Sequence, residues 1–134
     1  MKQKDVDEFE QLFGQLQGVY DELSILSKKS PGDAVNKFKL KFINQLLNQS
    51  NEFLGEKYRP FPDFFEFDLD DIPQNSDMVF MLAQYLQCFE KFRADSIMKR
   101  GSFWYWAVDA ENVEEGDENG LIYINTTTPK RLRT

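Results

Sequence analysis

The sequence contains no histidine, a single cysteine and no long apolar run. The absence of histidine excludes Ser–His and Cys–His nucleophilic sites, zinc sites with histidine ligands and the usual proton shuttle at neutral pH. One cysteine, Cys88, excludes an internal disulfide. Its position on an apolar helical stripe indicates a packing role rather than a nucleophile. No apolar stretch approaches the ~20 residues that span a bilayer.

The remaining composition is that of a globular protein. An apolar share of 41% and thirteen phenylalanines supply ample core material. The length of 134 residues is usual for one domain and no linker divides the sequence, so residues 1–134 are expected to form a single domain. The net charge of −7 argues against direct binding to nucleic acid or to an anionic membrane, because both need a basic face. The first residues, MKQKDVDEFE, lack the apolar core of a signal peptide, so a cytoplasmic location is expected.

Apolar residues recur at spacings of three and four along three segments, about residues 5–28, 31–55 and 77–99. Each segment is predicted to be an amphipathic helix. Ser30 and Ser76 stand where the N-caps of the second and third helices would be. The third segment has the widest apolar arc, which is typical of a helix covered on more than one side.

The last part of the chain has strand chemistry. The stretches SFWYWAV and LIYINT are aromatic and β-branched, and they predict a β-hairpin over about residues 102–108 and 121–126 with an acidic loop between. Both faces of this ribbon carry bulky side chains, which two strands alone cannot expose. One face should pack on the helices, and the other needs more helix, a third strand or a second subunit. The predicted fold class is α+β: a three-helix core with a C-terminal aromatic hairpin.

Two features suggest an assembly surface. Gly14 and Gly18 lie one turn apart on the first predicted helix. Such a pair either admits the backbone of another chain or marks a close internal crossing, and the internal crossing is the more ordinary interpretation. Together with Trp104 and Trp106 on one face of the hairpin, these glycines are the candidate assembly surface of a homodimer.

The stretch RPFPDFFEFDLDDIP, residues 59–73, combines phenylalanines with carboxylates between prolines. Phe65, Phe67 and Leu69 alternate with acids, which is the pattern of an extended segment with one wet face. The prolines oppose a long helix. The first interpretation is a connection anchored by its phenylalanines with its acids outward. A docking surface is the second, and catalytic chemistry the third.

Charge is segregated along the chain, with one acidic run in this stretch and another in the hairpin loop. The acids complement the basic residues of 28–59 and 129–134 internally, are ordinary solvated faces, or form a surface for a partner protein with a basic surface. The candidate interaction surface consists of Glu66, Asp68, Asp70, Asp71, Glu114, Glu115, Asp117 and Glu118.

Neither acidic run completes the ligand series of a calcium loop, so no metal and no cofactor are expected. The best hypothesis is a small acidic binding or regulatory protein that acts through protein–protein interaction without catalysis of its own. One alternative is an acidic inhibitor that imitates nucleic acid. Another is a carboxylate-based enzyme, or a small-ligand carrier with an aromatic pocket. A deep pocket with converging carboxylates would favour the last two, and a flat acidic face would favour the inhibitor.

Overall fold

The computed structural model describes residues 1–111 and 116–128. Three α-helices precede a three-stranded antiparallel sheet of order β1-β2-β3, which confirms the predicted α+β class and adds a third strand to the expected hairpin. The elements are α1 (Gln3–Lys29), α2 (Lys37–Tyr58), α3 (Asn75–Ser96), β1 (Ile97–Arg100), β2 (Phe103–Asp109) and β3 (Leu121–Thr126). No helix in the described ranges combines the length and the apolar character that crossing a bilayer requires.

Backbone contacts group the chain into two compact units. The helical unit is Gln11–Phe89, and the sheet unit combines Met1–Glu10 with Glu90–Thr134. The division falls inside α1 and α3. That residues 1–134 behave as one folding domain stays a prediction.

The core of the helical unit is built from the apolar stripes of all three helices, as their spacing indicates. The buried side chains include Leu12, Leu16 and Leu23 of α1, Leu40, Leu47 and Leu54 of α2, and Met78, Leu82, Tyr85 and Phe89 of α3. The Phe89 ring stacks on Phe53 with the ring centroids 5.8 Å apart. Fully burying a side chain of this size contributes about 1.5–3 kcal/mol, so these stripes account for the association of the helices.

The start of α2 differs from the prediction. The helix begins at Lys37 rather than at residue 31, and its N-cap is Asn36. The Asn36 side-chain oxygen accepts hydrogen bonds from the backbone N–H groups of Phe38 and Lys39 at 2.9 and 3.1 Å. An asparagine in this position satisfies two of the donors that a helix N-terminus leaves unpaired.

The residues before this cap are held by long-range backbone pairing. Ser30 donates its N–H to the Leu26 carbonyl at 2.8 Å, so it closes α1 instead of capping α2. The Val35 N–H donates to the Pro73 carbonyl at 2.9 Å. A helix that started at residue 31 would have to give up the Val35 bond, because the Val35 N–H would then donate to the carbonyl of residue 31.

The other helix ends are close to the predicted ones. Gly55 has a φ of +66°, a conformation that other residues rarely adopt, and it interrupts α2 near the predicted end. One further turn follows to Tyr58. The predicted third helix, 77–99, ends three residues early because Ile97–Arg100 pairs with β2 as β1.

In the sheet unit, one sheet face packs on the first turns of α1. Trp106 of β2 is fully buried, and its ring lies edge-on to Phe9 with the centroids 4.9 Å apart. Phe92 adds a third ring, 6.3 Å from Trp106. Val108, on the same face of β2, is also buried. The third strand therefore extends the sheet sideways, while helical residues cover this face.

The opposite face of the sheet carries an aromatic row. Tyr105 lies edge-on to both Phe103 and Tyr123, with centroid distances of 6.5 and 6.4 Å. The guanidinium of Arg100 lies 4.2 Å from the Tyr123 centroid. These side chains cover one another only partly, since Phe103 keeps 58% of its surface exposed.

Candidate functional site

The acidic stretch after α2 is fixed to that helix by an asparagine. The Asn44 side-chain amide donates to the Phe67 carbonyl at 2.8 Å and accepts from the Phe67 N–H at 2.9 Å. One side chain thus makes both hydrogen bonds that a neighbouring strand would make. Asn44 is buried, and a buried amide needs such partners.

A second asparagine, two helical turns on, extends this attachment. Asn51 donates to the Phe65 carbonyl at 3.2 Å. Its side-chain oxygen accepts from the Tyr85 hydroxyl of α3 at 2.8 Å. Burial raises the pKa of Tyr85 to about 12, so the hydroxyl keeps its proton across the physiological range. The segment is therefore linked through Asn51 to α3 as well as to α2.

The phenylalanines anchor this segment only in part. Phe64 and Phe67 are half-buried and lie edge-on, with centroids 5.0 Å apart. Phe65 and Leu69, which the alternating pattern placed inward, are exposed. The pattern misled because amide side chains, rather than a row of buried rings, hold the backbone. Phe65 instead lies 5.3 Å below the guanidinium of Arg59.

The acids of this segment point outward, as predicted. We call Glu66, Asp68, Asp70 and Asp71 the acidic strip, and all four are exposed. Glu66 accepts from the Asn48 side chain at 2.8 Å. Asp68 accepts from the Asp70 N–H at 2.8 Å, which folds the end of the strip into a local turn. Within residues 1–111 and 116–128, none of the four forms an ion pair.

The second acidic run is a different kind of site. Glu114 and Glu115 lie outside the described residues. Asp117 accepts from the N–H groups of Asn119 and Leu121 at 2.8 and 3.0 Å, and from the Tyr123 hydroxyl at 2.8 Å.

These bonds to its charged form, first that from Leu121, hold the pKa of Asp117 below its ordinary value. Asp117 therefore organises the turn before β3, and Glu118, the other described member of the candidate interaction surface in this loop, is exposed. This run belongs to the sheet unit and the acidic strip to the helical unit.

The four candidate assembly residues have contrasting environments. Trp106 is fully buried, so its side chain has no surface to offer a second chain, and Trp104 is half-buried. Gly14 and Gly18 are exposed, and apart from the adjacent residues and the backbone of α1 itself no described atom lies within 4 Å of where a Cβ would stand on either. The expected close internal crossing at these glycines is therefore wrong. Both open onto solvent.

Next to Gly18, α1 and α2 form an open groove of about 580 Å³. Its apolar lining comes from Val19 and Leu23 of α1 and from Phe42, Ile43 and Leu46 of α2. An ion pair between Glu22 and Lys39 at 2.6 Å joins the two helices on its rim, where the other polar side chains are glutamines.

The groove lacks the features of a carboxylate active site. Glu22 is the one carboxylate among its lining residues, and Lys39 neutralises it. Across the described ranges, no cluster of three or more Cys, Asp or Glu side chains is placed to hold a metal ion. Cys88, half-buried on α3, does not line the groove.

Comparison with known proteins adds no relative: no protein-family model, curated protein or solved structure matches this chain.

The sequence analysis missed three site residues, Asn44, Asn48 and Asn51. A signal for them existed, because Asn44 and Asn51 interrupt the apolar side of the second predicted helix seven residues apart, and polar residues in such positions need partners.

Proposed function

We propose that this protein is a binding module that docks a partner protein with a basic surface through the acidic strip, without catalysis of its own. The observation that carries the proposal is the attachment of the strip. Its backbone is fixed from below by Asn44 and Asn51, while Glu66, Asp68 and Asp70 remain exposed. A segment already held in one conformation has less entropy to lose on binding.

The electrostatics support the same function. The strip has four carboxylates within six residues, and none of them forms an ion pair with a described residue. They create a local negative potential on a protein of net charge −7. Such a field accelerates encounter with a basic surface and orients it, over a range of about 8 Å at physiological ionic strength. The open groove and the neutralised Glu22 give no comparable support to the enzyme or carrier alternatives.

The proposal is tested with two variants that remove equal charge. The strip variant Glu66→Gln, Asp68→Asn, Asp70→Asn, Asp71→Asn removes four carboxylates. The matched control Glu8→Gln, Glu10→Gln, Glu56→Gln, Glu111→Gln also removes four exposed carboxylates, all outside the strip. Affinity capture from the source cell, quantified by mass spectrometry, identifies partners retained by the wild type and the control. Each purified partner is then titrated calorimetrically at low and high salt.

We expect the strip variant to bind a basic partner about tenfold more weakly or worse and with a smaller salt dependence, because charge pairs are lost. The control should bind as the wild type does. Both variants should unfold within about 1 kcal/mol of the wild type, since exposed acids contribute little to folding. Full affinity in the strip variant, or an equal loss in the control, contradicts the proposal.

A further inference from the structure

The solvent-facing side of α2 carries two exposed aromatic rings. Phe38 is 71% exposed and Phe42 55%, and the rings lie edge-on with centroids 5.1 Å apart. Rings this exposed add little to the core of the helical unit. Adjacent large apolar side chains at a surface are typical of a protein–protein interface.

Beside these rings lies a basic band. Lys37 and Lys41 precede Asn44 by seven and three residues, so helical geometry places all three on one side of α2. Asn44 is the residue that holds the acidic strip, and the strip therefore borders the same side. Both lysines are exposed, and neither forms an ion pair with a described residue.

The other border of the rings is the groove between α1 and α2. Phe42 belongs to its lining, and across from it Gly18 leaves the α1 surface without a side chain. Around Phe38 and Phe42, one face of the helical unit thus combines an apolar groove, a basic band and the acidic strip.

We infer that this face pairs with the same face of a second copy of the chain about a two-fold axis. The acidic strip of each copy meets Lys37 and Lys41 of the other, and Phe38 and Phe42 enter the apolar groove across the axis. A two-fold interface must be self-complementary, and a face that carries both charge signs in separate bands meets that requirement. An anionic membrane would attract the lysines but repel the strip, and an acidic helix would leave the strip without a partner.

This inference rests on the proposed function, because it names the lysines of a second copy as one basic surface that the strip recognises. Its test is a charge exchange. In Lys37→Glu, Lys41→Glu, both reciprocal contacts become repulsive. In Glu66→Lys, Asp68→Lys, Asp70→Lys, Asp71→Lys, the strip becomes positive, so both contacts become repulsive with the opposite sign. An equimolar mixture of the two variants restores attraction at both contacts.

Sedimentation velocity on the wild type, each variant and the mixture gives the decisive measurement. We expect the wild type to dimerise and each variant alone to have a dimer Kd about tenfold higher or more. The mixture should form a heterodimer with close to wild-type affinity. The control Lys28→Glu, Lys29→Glu changes two exposed lysines of α1 and should dimerise as the wild type does. Phe38→Ser should weaken the dimer without lowering the melting temperature measured at a concentration where the wild type is monomeric.

A mixture that stays monomeric while both variants keep a native circular dichroism spectrum overturns the inference. So does a wild type that stays monomeric. In either case the proposed function survives if the strip variant still loses a basic partner that the charge-matched control retains. If the mixture dimerises but no such partner depends on the strip, the strip serves self-association alone.

Discussion

The side-chain amide of Asn44 occupies the position of a missing β-strand beside Phe67. Its nitrogen and oxygen bond the carbonyl and the N–H of the same residue, at 2.8 and 2.9 Å. An amide has one donor side and one acceptor side at about the spacing of a peptide group, so it can satisfy both groups of an extended residue. A helix thereby holds an irregular segment that has no strand partner.

Asn44→Ala should destabilise the protein by about 2–3 kcal/mol, because it leaves two part-buried backbone groups of Phe67 without partners. Asn48→Ala is the matched control one turn away. Asn48 is exposed and bonds the surface carboxylate of Glu66, so its loss should cost about 0.5 kcal/mol or less. Urea unfolding measures both, and hydrogen exchange at the Phe67 amide should accelerate only in the Asn44 variant. Equal stabilities would contradict the role given to Asn44.

Tyr85 should make stability fall at alkaline pH. Its pKa is raised by burial to about 12 in the folded protein, against about 10 in an unfolded chain. Its contribution is therefore complete below pH 10 and is lost as the pH rises toward 12, because only the unfolded chain ionises in that window. Between about pH 9 and pH 11 the loss should be about 1 kcal/mol.

The matched variant is Tyr85→Phe. It should cost about 1–2 kcal/mol at neutral pH, since the Asn51 oxygen loses its donor, and it should lack the alkaline decrease that Tyr85 causes. The free energy of unfolding of both proteins is measured with urea at the two pH values. Because the other tyrosines and the lysines are common to both proteins, the difference between the two pH dependences is due to Tyr85. An unchanged slope in the variant would contradict the assignment.

The fold was predictable where apolar periodicity decides it. The stripes that include Leu16, Leu47 and Leu82 do form the core of the helical unit. The errors occur where a long-range backbone hydrogen bond decides the end of a helix. The Val35 N–H bonds the Pro73 carbonyl, so α2 begins later than predicted. Ile97–Arg100 pairs with β2, so α3 ends earlier than predicted. Residues 97–100, Ile-Met-Lys-Arg, are compatible with helix by propensity, so only the partner strand decides their conformation.

The candidate site was predictable in part. The outward direction of Asp68 and Asp70 followed from alternation with apolar residues, and the prolines correctly opposed a helix over this segment. The pair of hydrogen bonds from Asn44 to the backbone of Phe67 could not be derived, because it requires knowing that Phe67 passes alongside α2. Asp117 is exposed, as its place on the candidate interaction surface requires, but its three hydrogen bonds could not be derived because only the folded turn brings their donors together.

The absence of close contacts at Gly14 and Gly18 on α1 can be tested by substitution. Both are helical with free space where a Cβ would stand, and glycine costs about 0.5–1 kcal/mol relative to alanine inside a helix. Gly14→Ala with Gly18→Ala should therefore stabilise the protein by about 1–2 kcal/mol. Thermal unfolding at low protein concentration measures this, with each single variant as a control for additivity. A decrease in stability would mean that a chain segment does pack closely against these glycines.

The two phenylalanines that flank Glu66 should respond differently to truncation. Phe67 is half-buried against Phe64, whereas Phe65 keeps 46% of its surface exposed. Phe67→Ala should cost about 2 kcal/mol, less than the 3–5 kcal/mol of a fully buried ring, because solvent already reaches part of it. Phe65→Ala should cost about 1 kcal/mol or less.

Urea unfolding compares the stabilities of the two variants. Both variants keep the hydrogen bonds from Asn44 and Asn51, because these bonds join the backbone and not the rings. Phe67 amide protection should therefore fall in Phe67→Ala only as far as global stability does. A larger loss for Phe65→Ala than for Phe67→Ala would mean that the segment is held by the exposed ring under Arg59, and the attachment by asparagines would then be secondary.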